Sequence, residues 1–118
     1  MSHRTDISFI DKPEILKVIF PLVYSPYYFN DKSTGQPADF DIRHIRVAKE
    51  VTIGCGFWAP SPDYPTILYF HGNGETIFDY RWSAQLYNES HINLFVVDYR
   101  GYGVSSGQPT VTSIIHDV

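Results

Sequence analysis

The chain has 118 residues, 43% of them hydrophobic and 16% aromatic, a composition that suits one globular domain and excludes wholesale disorder. Its formal charge is −4 and its pI about 5.6, with no basic cluster, which argues against nucleic acid as a partner. Cys55 is the only cysteine, so an internal disulfide and a cysteine-cluster metal site are impossible, and a reducing compartment is expected.

Met1-Ser2-His3-Arg4-Thr5-Asp6 does not have the pattern of a secretion signal. The apolar run from Ile15 to Tyr24 is broken by Lys17 and Pro21 and falls far short of the ~20 residues that span a bilayer. The expectation is a cytoplasmic protein without a transmembrane segment, with peripheral membrane association left open. Residues 1–40 read as an N-terminal extension. Within it, Pro13 opens a short helix through Phe20, because proline is tolerated in a first turn. Ile15, Leu16, Val18 and Ile19 give that helix its apolar side, and Pro21 and Pro26 end regular helix. Tyr24 to Phe29 is rich in aromatics, and Asn30 to Asp39 is a loop by composition.

From Asp41 the period changes to two. Ile45 and Val47 share one face of a strand whose other face carries His44 and Arg46. Val51 to Trp58 reads as a second strand, antiparallel to the first through a turn near Lys49-Glu50, and Ala59 to Pro65 is a firm break. Thr66 to Phe70 and Leu94 to Val97 are unbroken apolar runs, the pattern of parallel strands buried on both faces. Between them Phe78, Trp82 and Leu86 recur at helical spacing. Strand, helix and strand at this length make a βαβ unit, and Ser113 to Val118 begins a further helix.

The first apolar run ends in His71-Gly72-Asn73-Gly74-Glu75, and the second in Val97-Asp98-Tyr99-Arg100-Gly101-Tyr102-Gly103. Ligands of α/β folds lie at such carboxyl ends of strands, and glycines let backbone approach them closely. The two motifs in this order, with Val104-Ser105-Ser106-Gly107-Gln108-Pro109 following, resemble the α/β-hydrolase superfamily. The similarity is greatest to its serine aminopeptidase-like and lysophospholipase-like branch, which includes protein depalmitoylases. It covers residues 66–109 well, and 41–58 as the preceding hairpin. The fold class it implies is α/β: the N-terminal half of an α/β-hydrolase domain over residues 41–118, an antiparallel hairpin leading into a βαβ unit of a mostly parallel sheet.

The same resemblance implies an acyl-transfer site. Asn73 is the candidate oxyanion-hole donor through its backbone N–H, and His71, Gly72 and Gly74 complete the turn that presents it. The second donor of such a hole follows the nucleophile. Asp98 fits a loop-fixing role better than that of triad acid, because the family order runs Ser, then Asp or Glu, then His. His71 is structural by the same order, and Glu75 suits a helix N-terminus.

Two further patterns are coincidences of letters. Gly103-Val104-Ser105-Ser106-Gly107 matches a nucleophile elbow, yet no strand leads directly into it and Pro109 follows almost at once. Gly54-Cys55-Gly56-Phe57-Trp58-Ala59 matches a dinucleotide fingerprint, yet no helix can start at Ala59-Pro60-Ser61-Pro62. His3, His44, His71, His91 and His116 are scattered without metal-ligand spacing, so no metal or cofactor is expected.

A hydrolase of this kind places its nucleophile, acid and base after the next strand, beyond Val118. The expectation is thus the N-terminal portion of a serine hydrolase for ester, thioester or amide bonds, truncated before the elbow and inactive alone. A small-molecule or lipid-like acyl substrate would bind the completed site. The alternatives are an inactive truncated product and a non-catalytic interaction module of the same fold. The strand at residues 66–70 would normally pair with a further strand; without it an apolar edge is exposed and self-association follows.

Overall fold

The computed structural model describes residues 6–20 and 40–118. The aromatic segment Tyr24 to Phe29 and the loop Asn30 to Asp39 lie outside the described residues. A short 3₁₀ turn, Ser8–Ile10, leads into α1 (Pro13–Ile19), with Pro13 in its first turn. Then come β1 (Phe40–Ala48), β2 (Val51–Trp58), β3 (Thr66–Phe70), α2 (Arg81–Glu89), β4 (Asn93–Val97) and α3 (Val111–Asp117).

The four strands form one sheet in the order β1-β2-β4-β3. β1 and β2 are the expected hairpin, with Phe40 opposite Trp58 and Ala48 opposite Val51. Glu50 turns the chain by adopting φ 61. β4 runs antiparallel along the other side of β2, Cys55 facing Val97. β3 runs parallel to β4, Thr66 beside Asn93 and Phe70 beside Val97. The βαβ unit is therefore present, and its two strands end side by side.

Strand residues alternate between faces, so Leu94 and Val96 of β4 point one way and Phe95 and Val97 the other. Leu94 and Val96 bury against Trp58, Ile77, Tyr80 and Ala84 in the larger apolar cluster. Leu16 of α1 and Phe20 just after it bury against Tyr102 in a second cluster, joined by the half-buried Val111 and Ile114 of α3. Asp11 also reaches α3: its Oδ1 accepts from the Val111 N–H at 2.7 Å and the Thr112 N–H at 3.4 Å. These amides open α3 and have no partner within the helix.

Three faces differ from the sequence expectation. The α2 helix buries Ala84, whereas Trp82 and Leu86 are 78% and 66% exposed. Ala84 lies two residues from each, about 200° around the helix axis, so closing its small side chain onto Leu94 and Val96 turns both large ones outward. The helix also starts later than the Phe78 stripe implies, because residues 77–80 form a 3₁₀ turn capped reciprocally by Thr76 and Asp79. In α1, Val18 is exposed for the same geometric reason, lying two residues from both Leu16 and Phe20. The third difference is β3. It pairs with β4 alone among the described residues, and Ile67, Leu68 and Phe70 are 36%, 54% and 38% exposed. An unbroken apolar run is buried on both faces only when neighbours and helices cover it, and here only Tyr69 is drawn into the core.

Candidate active site

The parallel ends of β3 and β4 bring the two glycine-rich turns together. His71 and Asp98 are both buried, and His71 Nε2 lies 2.8 Å from Asp98 Oδ1. The other ring nitrogen of His71 lies 2.9 Å from the Gly72 carbonyl. Asp98 accepts two further bonds: the Ile77 N–H donates to Oδ1 at 2.9 Å, and the Val104 N–H to Oδ2 at 3.1 Å. One carboxylate thus fixes the turn after β3, the entry to the α2 region and its own loop. That is the loop-fixing role expected of it, with both oxygens of Asp98 engaged within the chain.

The loop after β4 is shaped around this carboxylate. Gly103 has φ +43, and a Cβ there would stand 2.1 Å from Asp98 Oδ2, so only glycine fits. Ser105 donates its Oγ–H to the Asp98 carbonyl at 2.6 Å and accepts from the Gly54 N–H at 2.8 Å. Its hydroxyl is spent on the scaffold, and no strand–helix elbow surrounds it. The glycines of the false dinucleotide fingerprint gain a different explanation. A Cβ on Gly54 would lie 2.2 Å from Val104 Cγ2, so its absence lets the 98–107 loop lie on β2. Cys55 is fully buried beside them; burial and then the nearby Asp98 push its thiol up to about 11, so it is packing and not a nucleophile.

His71, Gly72, Asn73 and Gly74 form one tight turn. Glu75 closes it rather than sitting at a helix start: its Oε1 accepts the Gly72 N–H at 2.8 Å and the Tyr80 hydroxyl at 3.3 Å. The Glu75 N–H donates to the Gly72 carbonyl, and Gly74 takes φ 86 to complete the reversal. The Gly72 amide is therefore occupied. The Asn73 N–H has no acceptor among the described residues. The Asn73 side chain is engaged at both ends, accepting from the Tyr102 hydroxyl and donating to the Ile19 carbonyl at 2.6 Å.

Tyr99 and Tyr102 are the site residues the sequence reading missed. Tyr99 donates its hydroxyl to the His71 carbonyl at 2.6 Å, and Tyr102 reaches Asn73. Burial raises both phenols, Tyr102 up to about 12, so they stay protonated and act as donors at neutral pH. Their signal was two phenols three residues apart in a loop whose glycines force them inward. Beside Asn73 lies an open pocket of about 280 Å³. Its walls are apolar: Ile19 and Phe20 at the end of α1, the Tyr99 and Tyr102 rings, and Val111, Ile114 and Ile115 of α3. Neither α1 nor α3 carried a sequence signal for this use. Among the described residues, no group of three or more His, Cys, Asp or Glu could hold a metal ion, and no helix is long and apolar enough to cross a membrane.

No protein-family model matches the chain. Among curated proteins it is similar to mouse alpha/beta hydrolase domain-containing protein 17C, 37% identical over 76 residues, or 62% of this chain and 23% of that protein. Protein bem46 of Schizosaccharomyces pombe is 40% identical over 82 residues, 63% of this chain and 27% of that protein. Escherichia coli YfhR is 26% identical over 122 residues, 89% of this chain and 43% of that protein. Two solved structures share the fold. The thioesterase domain from the curacin biosynthetic pathway aligns with TM-score 0.53 and 24% identity, covering 63% of this chain and 26% of that one. The epoxide hydrolase VrEH1 from Vigna radiata aligns with TM-score 0.51 and 18% identity, covering 67% and 25%. The sheet order and the paired turns at the ends of β3 and β4 are those of the N-terminal part of an α/β-hydrolase fold, and these relatives make the chain similar to members of that superfamily. It spans between 23% and 43% of the length of these curated relatives.

Proposed function

We propose that this chain is the N-terminal portion of a serine hydrolase acting on ester, thioester or amide bonds, in which it supplies one oxyanion-hole donor, the Asn73 backbone N–H, and none of the triad. The observation that carries the reading is that N–H, without an acceptor among the described residues at the strand end beside an apolar pocket. The nearby nucleophile and acid candidates are all committed elsewhere: Ser105 to β2, and His71 and Asp98 to each other and to backbone.

In the completed site a serine outside residues 1–118 attacks the substrate carbonyl carbon and passes its proton to a histidine. The carbonyl oxygen becomes an oxyanion, which the Asn73 N–H and a second amide hold. Collapse of that intermediate expels the alcohol, thiol or amine, which takes the proton back from the histidine, and water then releases the acid by the same steps. The contribution asked of Asn73 is roughly 10²–10³ in rate, the usual loss when one oxyanion donor is removed.

The test is labelling by a fluorophosphonate. The reagent should mark a serine after position 118 in a full-length product and leave the 118-residue chain unmarked. Labelling of Ser105 or Ser106, or no labelling of a soluble full-length product, would overturn the proposal.

A further inference from the structure

Asn73 is held by its side chain as well as by its turn, and this hold ties the first helix to the strand end. Ile19 is the last residue of α1, and its carbonyl is one of the helix-end oxygens that find no partner within the helix. A carbonyl can only accept, so the atom of Asn73 facing it must be the amide nitrogen. The amide oxygen then faces the Tyr102 hydroxyl, which must donate. Every hydrogen-bonding direction in the chain Tyr102 O–H, Asn73 amide, Ile19 carbonyl is thereby fixed, and no alternative orientation of the amide satisfies both ends.

The two anchors are themselves rigid. Tyr102 is 1% exposed, and its ring sits edge-on to Phe20 with centroids 6.1 Å apart, so the same helix end contacts both the ring and the bonded amide. Tyr99 secures the carbonyl of His71, two residues before Asn73. The Asn73 side chain is consumed by this bridge, which leaves its backbone N–H as the group available to a ligand.

We propose that Tyr102 and the C-terminal end of α1 are positioning residues for the oxyanion turn, acting through the Asn73 side chain to fix the direction of the Asn73 N–H. This rests on the hydrolase reading above. It adds that the identity of the Asn73 side chain matters although the donor is backbone, and that the segment before the sheet is part of the catalytic apparatus. An N–H aimed at a developing charge contributes only when its direction is fixed beforehand, so loosening the bridge acts on the chemical step and leaves the ground-state fit of the acyl group alone.

Two substitutions separate this from a packing role. Tyr102→Phe keeps the ring against Phe20 and removes only the donor. Asn73→Asp is nearly isosteric and leaves the backbone N–H in place, but its carboxylate turns an acceptor toward the Ile19 carbonyl. Both would be assayed in the full-length product by p-nitrophenyl ester hydrolysis, with thermal melting in parallel. The expected result is a kcat lower by at least about 10-fold in each, with KM within about 2-fold of wild type. Melting of the Tyr102→Phe variant should stay within about 4 °C of wild type, the shift of less than one hydrogen bond. Unchanged kcat in both variants, a rise in KM alone, or losses that merely follow the melting temperature would overturn the positioning role while leaving the hydrolase reading intact. A soluble wild-type product that neither hydrolyses the ester nor reacts with fluorophosphonate would overturn both.

Discussion

The carboxyl end and the open edge of the βαβ unit's first strand face opposite physical situations. At its carboxyl end, the turns 71–75 and 98–107 are cemented by hydrogen bonds. Asp98 alone receives contacts from His71, Ile77 and Val104, and Glu75, Tyr99, Ser105 and Tyr102 close the remaining gaps. Along its open edge and over the outer face of α2, by contrast, Ile67, Leu68, Phe70, Trp82 and Leu86 lie bare. The first region is held from within: apart from the Asn73 N–H, the polar groups named here find partners in the chain. The second depends on a cover, because solvent-exposed apolar edges invite pairing with other strands. A chain can therefore fix two turns firmly at one end of a strand whose edge still carries exposed apolar side chains.

The strongest way to break this contrast is to remove its hub. Asp98→Ala leaves His71 and two backbone amides buried without their acceptor, and should cost about 3–5 kcal/mol, enough to unfold a marginal domain. A denaturation midpoint that barely moved would mean the two turns are held by packing and not by this carboxylate.

A smaller effect belongs to the ion pair at the rim of the same region. Arg100 donates through Nε to Asp117 Oδ2 and through Nη2 to Oδ1, each at 2.8 Å, pinning α3 to the loop after β4. Burial opposes ionisation of Asp117, but the Arg100 bonds and His116 outweigh it and hold the carboxyl below its ordinary 3.8. A group depressed in the folded state stabilises in full above its unfolded value, and that stability is lost as pH falls from 3.8 through the lower folded value. Arg100→Ala should therefore cost about 1.5–3 kcal/mol near neutrality and progressively less as pH falls below 3.8. Urea titrations of both proteins at neutrality and below pH 3.8 decide it, and an equal deficit in both conditions would refute the linkage.

The smallest effect on stability sharpens the other side of the comparison. Leu68→Lys on the open edge should change monomer stability by no more than about 0.5 kcal/mol, since the side chain is more exposed than buried. It should nevertheless reduce self-association measured by size exclusion with light scattering, because an inserted charge disfavours strand-to-strand pairing. An assembly state indifferent to this charge would place the sticky surface elsewhere, with Trp82 and Leu86 the next to alter.

What could be read from the sequence follows the same division. The hairpin, the apolar strands and the two turns were legible because each depends on local pattern: alternation, unbroken apolar runs, or glycine at a fixed place. Gly103 was readable as a permissive position, and the structure adds the reason, the Asp98 oxygen that a Cβ would strike. The burial of α2 was misread because Trp82 and Leu86 outweigh Ala84 in any hydrophobic count, while packing against β4 selects the small residue. The pocket was not legible at all. Its walls come from Phe20, Tyr102 and Ile114, far apart in the chain, and nothing local to any of them announces the others.

One contact sets an order on assembly. Asp11 caps the first amides of α3 across 100 residues of chain. Closing so long a loop is entropically costly, so the cap forms only once the sheet between them has already brought the ends together. During synthesis Leu16 and Phe20 cannot bury against Tyr102, nor Asp11 cap residue 111, until those residues have left the ribosome. The first helix made is among the last to dock, and the apolar pocket it walls comes into being only at that final step.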